Sequence, residues 1–418
     1  MASVAFLARW VQSLLGDRQL GISSLALVRL LWYVAALALT PGRRTLRRMQ
    51  TLVGSCPTDR HGVERLLKEK PDATRQILLA LGHQRLAAVL AKKRRKRIHV
   101  LVDTTNNRRF GKHMEGAFKF RDNTTSGYIV GHRLVVAIAV VGKSLIPLGG
   151  RLFIREQDAQ RLGTKYLSQI DLAEELIKGL PEMPPGVQVE VLGDSFFFCA
   201  QIVKACRERN YVLTSRAQTN QTVTGPGAGR RTTVGKKMKR LFARRQAKPV
   251  TVKVRHRTRT FLVAQRQHAF RKIGLINTVY SKEKGKKRDP IALVTTDLAA
   301  TPKEVIERMG HRWAIELFFR SCKQDLGMGH YQGRHWEGVD QHLQLVLIAH
   351  LLLSCAGSHK LPDAGRTTKG DTLSGLHELK AGKAALRQAL AQDLVGEART
   401  PQALKLRLKR HVDLMYGT

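Results

Sequence analysis

Apolar residues recur at three- and four-residue spacings through residues 1–95, and Pro41-Gly42, Pro57 and Pro71 punctuate the pattern. This predicts a helical N-terminal region. The run Arg43-Arg44-Thr45-Leu46-Arg47-Arg48 within it suggests a helix lying on phosphates, and residues 92–97 read as a basic linker. At position 98 the texture changes. Ile98-His99-Val100-Leu101-Val102 is a buried-strand run, and apolar stretches over 128–141 and 145–154 flank a turn at Gly142-Lys143. Together they predict a three-stranded meander.

Strand and helix then alternate, with a helix over 163–180, a strand over 187–192, a helix over 196–209 and a strand over 211–214. That order implies a partly parallel sheet. Residues 217–289 interrupt it with Gly225-Pro226-Gly227-Ala228-Gly229, many Lys and Arg, and β-rich text at 250–254 and 260–263. The alternation resumes with a strand over 291–296, and Thr301-Pro302 opens a helix expected to run to Leu326. The organisation read from this is a helical region over 1–95 with DNA-end binding as one role, an α/β core over 96–216 and 290–355, an inserted basic β subdomain over 217–289, and a basic helical tail over 356–418.

The apolar runs at 30–39 and 343–353 are too short to span a bilayer and read as buried helices, so no membrane partner is expected. The five cysteines, Cys56, Cys199, Cys206, Cys322 and Cys355, form no CxxC pair. They point to a reducing compartment and no structural zinc. No repeat at periods of 20–50 residues suggests a solenoid or propeller.

Charge changes the picture. Lys and Arg total 73 against 32 Asp and Glu, a net charge of +41 spread along the whole chain. Such a field seeks a polyanion, although charge alone does not separate DNA from RNA.

Against that basic background three acids stand out. Asp103 ends the apolar strand Val100-Leu101-Val102, and Asp194 ends a second one, Val189-Glu190-Val191-Leu192-Gly193. Each alone is as well explained as a cap. The third lies in Gly310-His311-Arg312-Trp313-Ala314-Ile315-Glu316-Leu317-Phe318-Phe319-Arg320-Ser321-Cys322-Lys323. At 100° per residue Ile315, Phe318, Phe319 and Cys322 form the buried stripe, and Arg312, Glu316 and Lys323 share another face within about 40°. A surface salt-bridge ladder would explain that row but not the two strand-end aspartates. Cleavage of a phosphodiester by two metal ions needs a few converging carboxylates, and these three meet that need.

The row Arg312, Glu316, Lys323, with Trp313 after the Arg, resembles the Tyr-x2-Arg-x3-Glu-x6-Lys helix of insertion-sequence DDE transposases with a ribonuclease-H-like catalytic core. Asp103-Thr104 and Gly193-Asp194-Ser195-Phe196 resemble that family's first and second acids, and the long gap between Asp194 and Glu316 resembles its inserted β subdomain. Met309 departs from the family's Tyr, and the likeness covers about residues 95–355.

The resemblance implies a ribonuclease-H-like mixed sheet flanked by helices. It implies Asp103, Asp194 and Glu316 as catalytic acids and ligands of two Mg²⁺ or Mn²⁺ ions. It also implies Arg312 and Lys323 on the DNA backbone, and Trp313 either stacked on a displaced base or packed in the core. The expected partner is double-stranded DNA, both transposon ends and target, in the bacterial cytoplasm at the nucleoid. A homodimer in the synaptic complex is one expectation, a free monomer the other. A nuclease that cuts without joining, a domesticated DNA-binding protein and a basic RNA-binding protein are the alternatives. His132 reads as a structural strand histidine, and the Gly-rich 225–229 stretch lacks the GK[ST] ending of a nucleotide-triphosphate loop.

Overall fold

Strand β1 is longer than its apolar run because its two neighbours differ in length. The computed structural model describes residues 2–15, 22–53, 60–68, 71–93, 97–111, 113–122, 127–225, 231–254, 257–360 and 374–396. On one side β1 (Arg97–Arg108) pairs antiparallel with β3 (Gly127–Val141) as far as Arg108 opposite Gly131. On the other side its parallel neighbour β5 (Gln188–Leu192) stops at Leu192 opposite Leu101. Asp103 therefore lies within β1, opposite Val136, rather than at its end. The polar text after it reads as loop, but ladder bonds to β3 hold it extended.

Five helices precede the sheet: α1 (Ala2–Leu15), α2 (Ser24–Leu39), α3 (Leu46–Val53), α4 (Arg60–Lys68) and α5 (Asp72–Lys93). In α2 every residue from Leu30 to Leu39 is buried, as expected of a helix apolar all round. Ser23 starts it by accepting from the Ala26 N–H.

Strand β2 (Phe118–Asp122) precedes β3, and β4 (Ser144–Phe153) follows it. Both pair with β3, so the expected meander gains a further strand. The helix expected over 163–180 is the shorter α7, which a separate short helix precedes: α6 (Glu156–Arg161), followed by Gly163 at φ +62°, and then α7 (Gln169–Lys178), whose Ser168 and Asp171 form a capping box. After β5, the helix expected from 196 starts only at α8 (Ala200–Glu208). Asp194 Oδ1 accepts from the Phe196 N–H at 2.9 Å and folds the intervening residues into a turn. Strand β6 (Val212–Arg216) then pairs parallel with β5.

The segment over 217–289 contributes β7 (Thr222–Thr224), β8 (Thr232–Thr233), α9 (Val234–Ala243), β9 (Lys248–Val254), β10 (Arg257–Phe270) and β11 (Gly274–Glu283). Its strands join the sheet through β11 and β12 (Ile291–Thr295). Among the described residues the sheet has twelve strands, ordered β2-β3-β1-β5-β6-β12-β11-β10-β7-β8, with β4 beside β3 and β9 beside β10. It is a mixed sheet flanked by helices, consistent with a ribonuclease-H-like fold. Residues 226–229 of the Gly-rich stretch with the following Arg230, 94–96 of the basic linker and Cys56 lie outside the described residues, as do 361–373 and 397–418 of the tail.

A second core of Val252, Val263, Val279, Leu293, Val305 and Ile306 seats α10 (Pro302–His311) against the inserted strands. Thr301 and Glu304 cap α10 reciprocally, and Pro302 opens it. The helix expected to run unbroken to 326 breaks at Arg312, and α11 (Trp313–Gln324) follows. There the Arg312 N–H donates to Met309 O and the Ile315 N–H to Arg312 O, both 3.2 Å, so the chain tightens by one three-residue turn.

Helices α12 (Trp336–Lys360) and α13 (Ser374–Gly396) close the described chain. Trp336–Ser358 is long and apolar enough to cross a membrane by length and composition, yet it is wholly buried in the fold.

Candidate active site

The parallel register brings the two aspartates side by side. Leu101 faces Leu192 across β1 and β5, and each acid lies two residues further on, Asp103 within β1 and Asp194 just past the end of β5. Asp103 is 9% exposed and Asp194 partly buried. Burial and the nearby Asp194 charge push the Asp103 carboxyl up to about 6, against the opposing pull of Arg312. Both acids also make the local bonds of a cap. Asp103 Oδ1 accepts from the Thr104 N–H at 2.8 Å, and Asp194 Oδ1 holds Phe196. Ser215 on β6 fixes the second acid's backbone by donating to Asp194 O at 2.6 Å.

Helix α11 brings the third acid. Arg312 Nη2 donates to Asp103 Oδ2 at 2.7 Å, and Arg312 Nη1 lies 3.8 Å from Glu316 Oε1. One guanidinium thus links the strand acid to the helix acid, whose side chain is 42% exposed. Lys323 and Trp313 are half-buried on the same helix. Seven residues separate Glu316 from Lys323, which returns the lysine to nearly the same face.

The seat of α10 and α11 on the sheet is ionic. Arg308 Nε lies 3.0 Å from Glu190 Oε1 and Arg308 Nη2 bonds Asp297 Oδ2 at 2.9 Å, with Arg308 4% and Glu190 1% exposed. Thr214 Oγ1 donates to Glu190 Oε1 at 3.2 Å, and His99 Nδ1 lies 3.1 Å from Glu190 Oε2. His99 in turn stacks on His311 with ring centroids 4.2 Å apart. Arg308 and Arg312 are one helical turn apart, so α10 and its junction with α11 meet β5 and β1 with one cation each. The sequence reading missed Glu190 and Arg308. A lone acid inside the strand Gln188–Leu192 was the available signal, and nothing marked Arg308.

The far end of α11 is held as firmly. Arg44 Nη2 and Lys383 Nζ both donate to Asp325 O, at 2.7 and 2.9 Å. Arg44, expected on phosphates, is instead buried and also donates to Leu37 O at 2.7 Å. Cations suit a helix C-terminus, where carbonyls lack partners. His132 has the structural role expected of it: Arg109 Nε bonds its Nδ1 at 3.0 Å, and its Nε2 lies 2.8 Å from Glu115 O.

Three carboxylates are a donor set suited to hard divalent cations. Among the described residues no group of three or more His, Cys, Asp or Glu is drawn together tightly enough to hold a metal ion. Instead the Arg312 guanidinium supplies positive charge between Asp103 and Glu316. In charge and donor chemistry the three acids suit such an ion.

Residues 159–352 match the model of the transposase DDE domain. That match supports reading the chain as an insertion-sequence DDE transposase. The matched stretch includes Asp194, Arg312, Trp313, Glu316 and Lys323, and begins after Asp103. No curated protein matches the chain.

Proposed function

We propose that the chain hydrolyses phosphodiesters at transposon ends and transfers the freed 3′-hydroxyl into target DNA, with Asp103, Asp194 and Glu316 as its catalytic acids. The observation that carries this reading is Arg312 joining Asp103 to Glu316 while β1 and β5 set Asp194 beside Asp103. The three acids would hold two Mg²⁺ or Mn²⁺ ions. Such ions, when bound, activate the attacking oxygen and stabilise the leaving one.

The chain's own residues do the rest. Arg312 keeps the buried Asp103 ionised and fixes its carboxylate, and on arrival of DNA its fork suits a phosphate equally well. Lys323 adds a point charge beside it, and Trp313 stands one residue from Arg312 where a displaced base can stack. This is the Tyr-x2-Arg-x3-Glu-x6-Lys arrangement with Met309 at the Tyr position, so no phenol serves there. The partner is double-stranded DNA, engaged by a homodimer at paired ends.

The test is cleavage and joining of DNA carrying the element's ends with Mg²⁺ or Mn²⁺, comparing wild type with Glu316→Gln. Loss of both steps with DNA binding retained supports the assignment. Equal activity in the two proteins overturns it, and cutting without joining reduces the enzyme to a nuclease.

A further inference from the structure

Strand β3 extends well beyond the candidate site. Val136 stands opposite Asp103, and toward the start of β3 the same face carries Leu134, His132, Val130 and Tyr128 in turn. Leu134 and His132 are buried, but Val130 is exposed and Tyr128 is 68% exposed. Strand β2 pairs with this end and sets Lys119 opposite Val130 and Arg121 opposite Tyr128, both cations exposed. Directly opposed residues share a face. Two cations, a tyrosine and a valine therefore form one exposed strip. Lys119 Nζ stands 5.1 Å from the centroid of the Tyr128 ring.

The back of this ribbon is packed. Phe118 and Phe120 are buried there, with the Arg133 guanidinium over both rings at 5.8 and 4.9 Å and the Arg155 guanidinium 5.6 Å from Phe118. The strip is thus presented on a fixed support. Lysine and arginine alone would only guard an edge strand against mispairing. An exposed tyrosine and valine beside them leave apolar surface in water, which such guarding does not require. A polyanion with apolar sugar faces between its phosphates matches both features.

We propose that the β2–β3 ribbon is a second contact for the duplex being cut, an inference that rests on the function proposed above. From position 136 back to position 128 the strand covers about 27 Å at about 3.4 Å per residue. The rise per base pair is about the same, so the strip meets DNA roughly six to eight base pairs from the phosphate at the acids. Lys119 and Arg121 neutralise phosphates, and Tyr128 donates its hydroxyl to a phosphate oxygen while its ring lies on sugar.

The experiment measures the affinity of the full chain for a mixed-sequence duplex of about 30 base pairs across a salt series. It compares wild type with the Lys119→Gln/Arg121→Gln/Tyr128→Ala variant. The expected result is affinity about tenfold weaker at low salt and a log–log salt slope smaller by about two, with metal-dependent cutting retained at saturating protein. If the triple variant does not melt like wild type, Lys119→Glu/Arg121→Glu, which changes only exposed positions, is measured in its place. Unchanged affinity and slope in a folded variant overturn the proposal. A defect confined to strand joining, with binding of the cut duplex unchanged, would assign the strip to target DNA and also overturn it. The catalytic reading fails separately, through Glu316→Gln cutting as well as wild type.

Discussion

Arg312 and Asp103 lie 209 positions apart in sequence and 2.7 Å apart in space, Nη2 to Oδ2. The contact fixes where α11 stops against β1, and so where Glu316 sits relative to both aspartates. It also leaves Asp103 dependent on a single guanidinium, since burial opposes the ionised carboxylate.

Arg312→Ala is therefore expected to destabilise the metal-free protein by about 1–3 kcal/mol at pH 8, by leaving a buried charge unpaired. At pH 5 the loss should shrink, because Asp103 is then protonated in the folded state. Chemical denaturation at the two pH values reads the difference; an equal loss at both would show that Arg312 stabilises by packing alone.

The Asp103 carboxyl, raised to about 6, fixes the sign of a second pH effect. Between the ordinary carboxylate value near 4 and about 6 the folded chain binds more protons than the unfolded one. Its stability from this group therefore falls as pH rises through that window. In metal-free buffer wild type should lose stability relative to Asp103→Asn between pH 4 and pH 7. Parallel curves for the two proteins would rule out the raised value.

Breaking the buried Arg308–Glu190 pair should cost more. Arg308→Met leaves Glu190 charged at 1% exposure, and a loss of about 3–5 kcal/mol is expected. Replacing both partners, with Arg308→Met and Glu190→Leu, should recover much of it. Thermal melts of the singles and the double decide the matter; additive losses would show that the two residues act apart.

Arg44 and Lys383 share the Asp325 carbonyl, so removing either leaves the other in place. Lys383→Met should cost about 1 kcal/mol and Arg44→Met more, because Arg44 also bonds the Leu37 and Gly42 carbonyls. Amide hydrogen exchange over residues 313–326 should rise in both. Unchanged protection in that stretch would place the effect elsewhere.

Much of this arrangement was legible in the chain. Strands β3, β4, β5 and β12 and helices α2 and α12 are apolar runs long enough to declare themselves. The two aspartates were legible because both follow such runs, and Glu316 because its neighbours repeat at helical spacing. What escaped is what depends on partners distant in sequence. Phe118-Lys119-Phe120-Arg121 is too short to stand out until β3 pairs with it. The break at Arg312 falls on a residue that itself favours helix, and the reach to Asp103 comes from tertiary contact. Arg44 looked like a surface cation because its acceptors, Leu37 O and Asp325 O, are backbone carbonyls that carry no mark in sequence.

The shared carbonyl at Asp325 also sets an order of assembly. A ribosome delivers Asp103, Asp194 and Glu316 before it delivers Lys383, and α13 must then settle on α12. That crossing is so close that a Cβ on Gly357 would overlap the Glu378 carbonyl oxygen. A nascent chain thus owns all three acids while the Asp325 carbonyl at the end of the helix bearing the third is met by Arg44 and not yet by Lys383. A translation product that stops short of α13 therefore carries Asp103, Asp194 and Glu316 without the Lys383 contact at the end of α11.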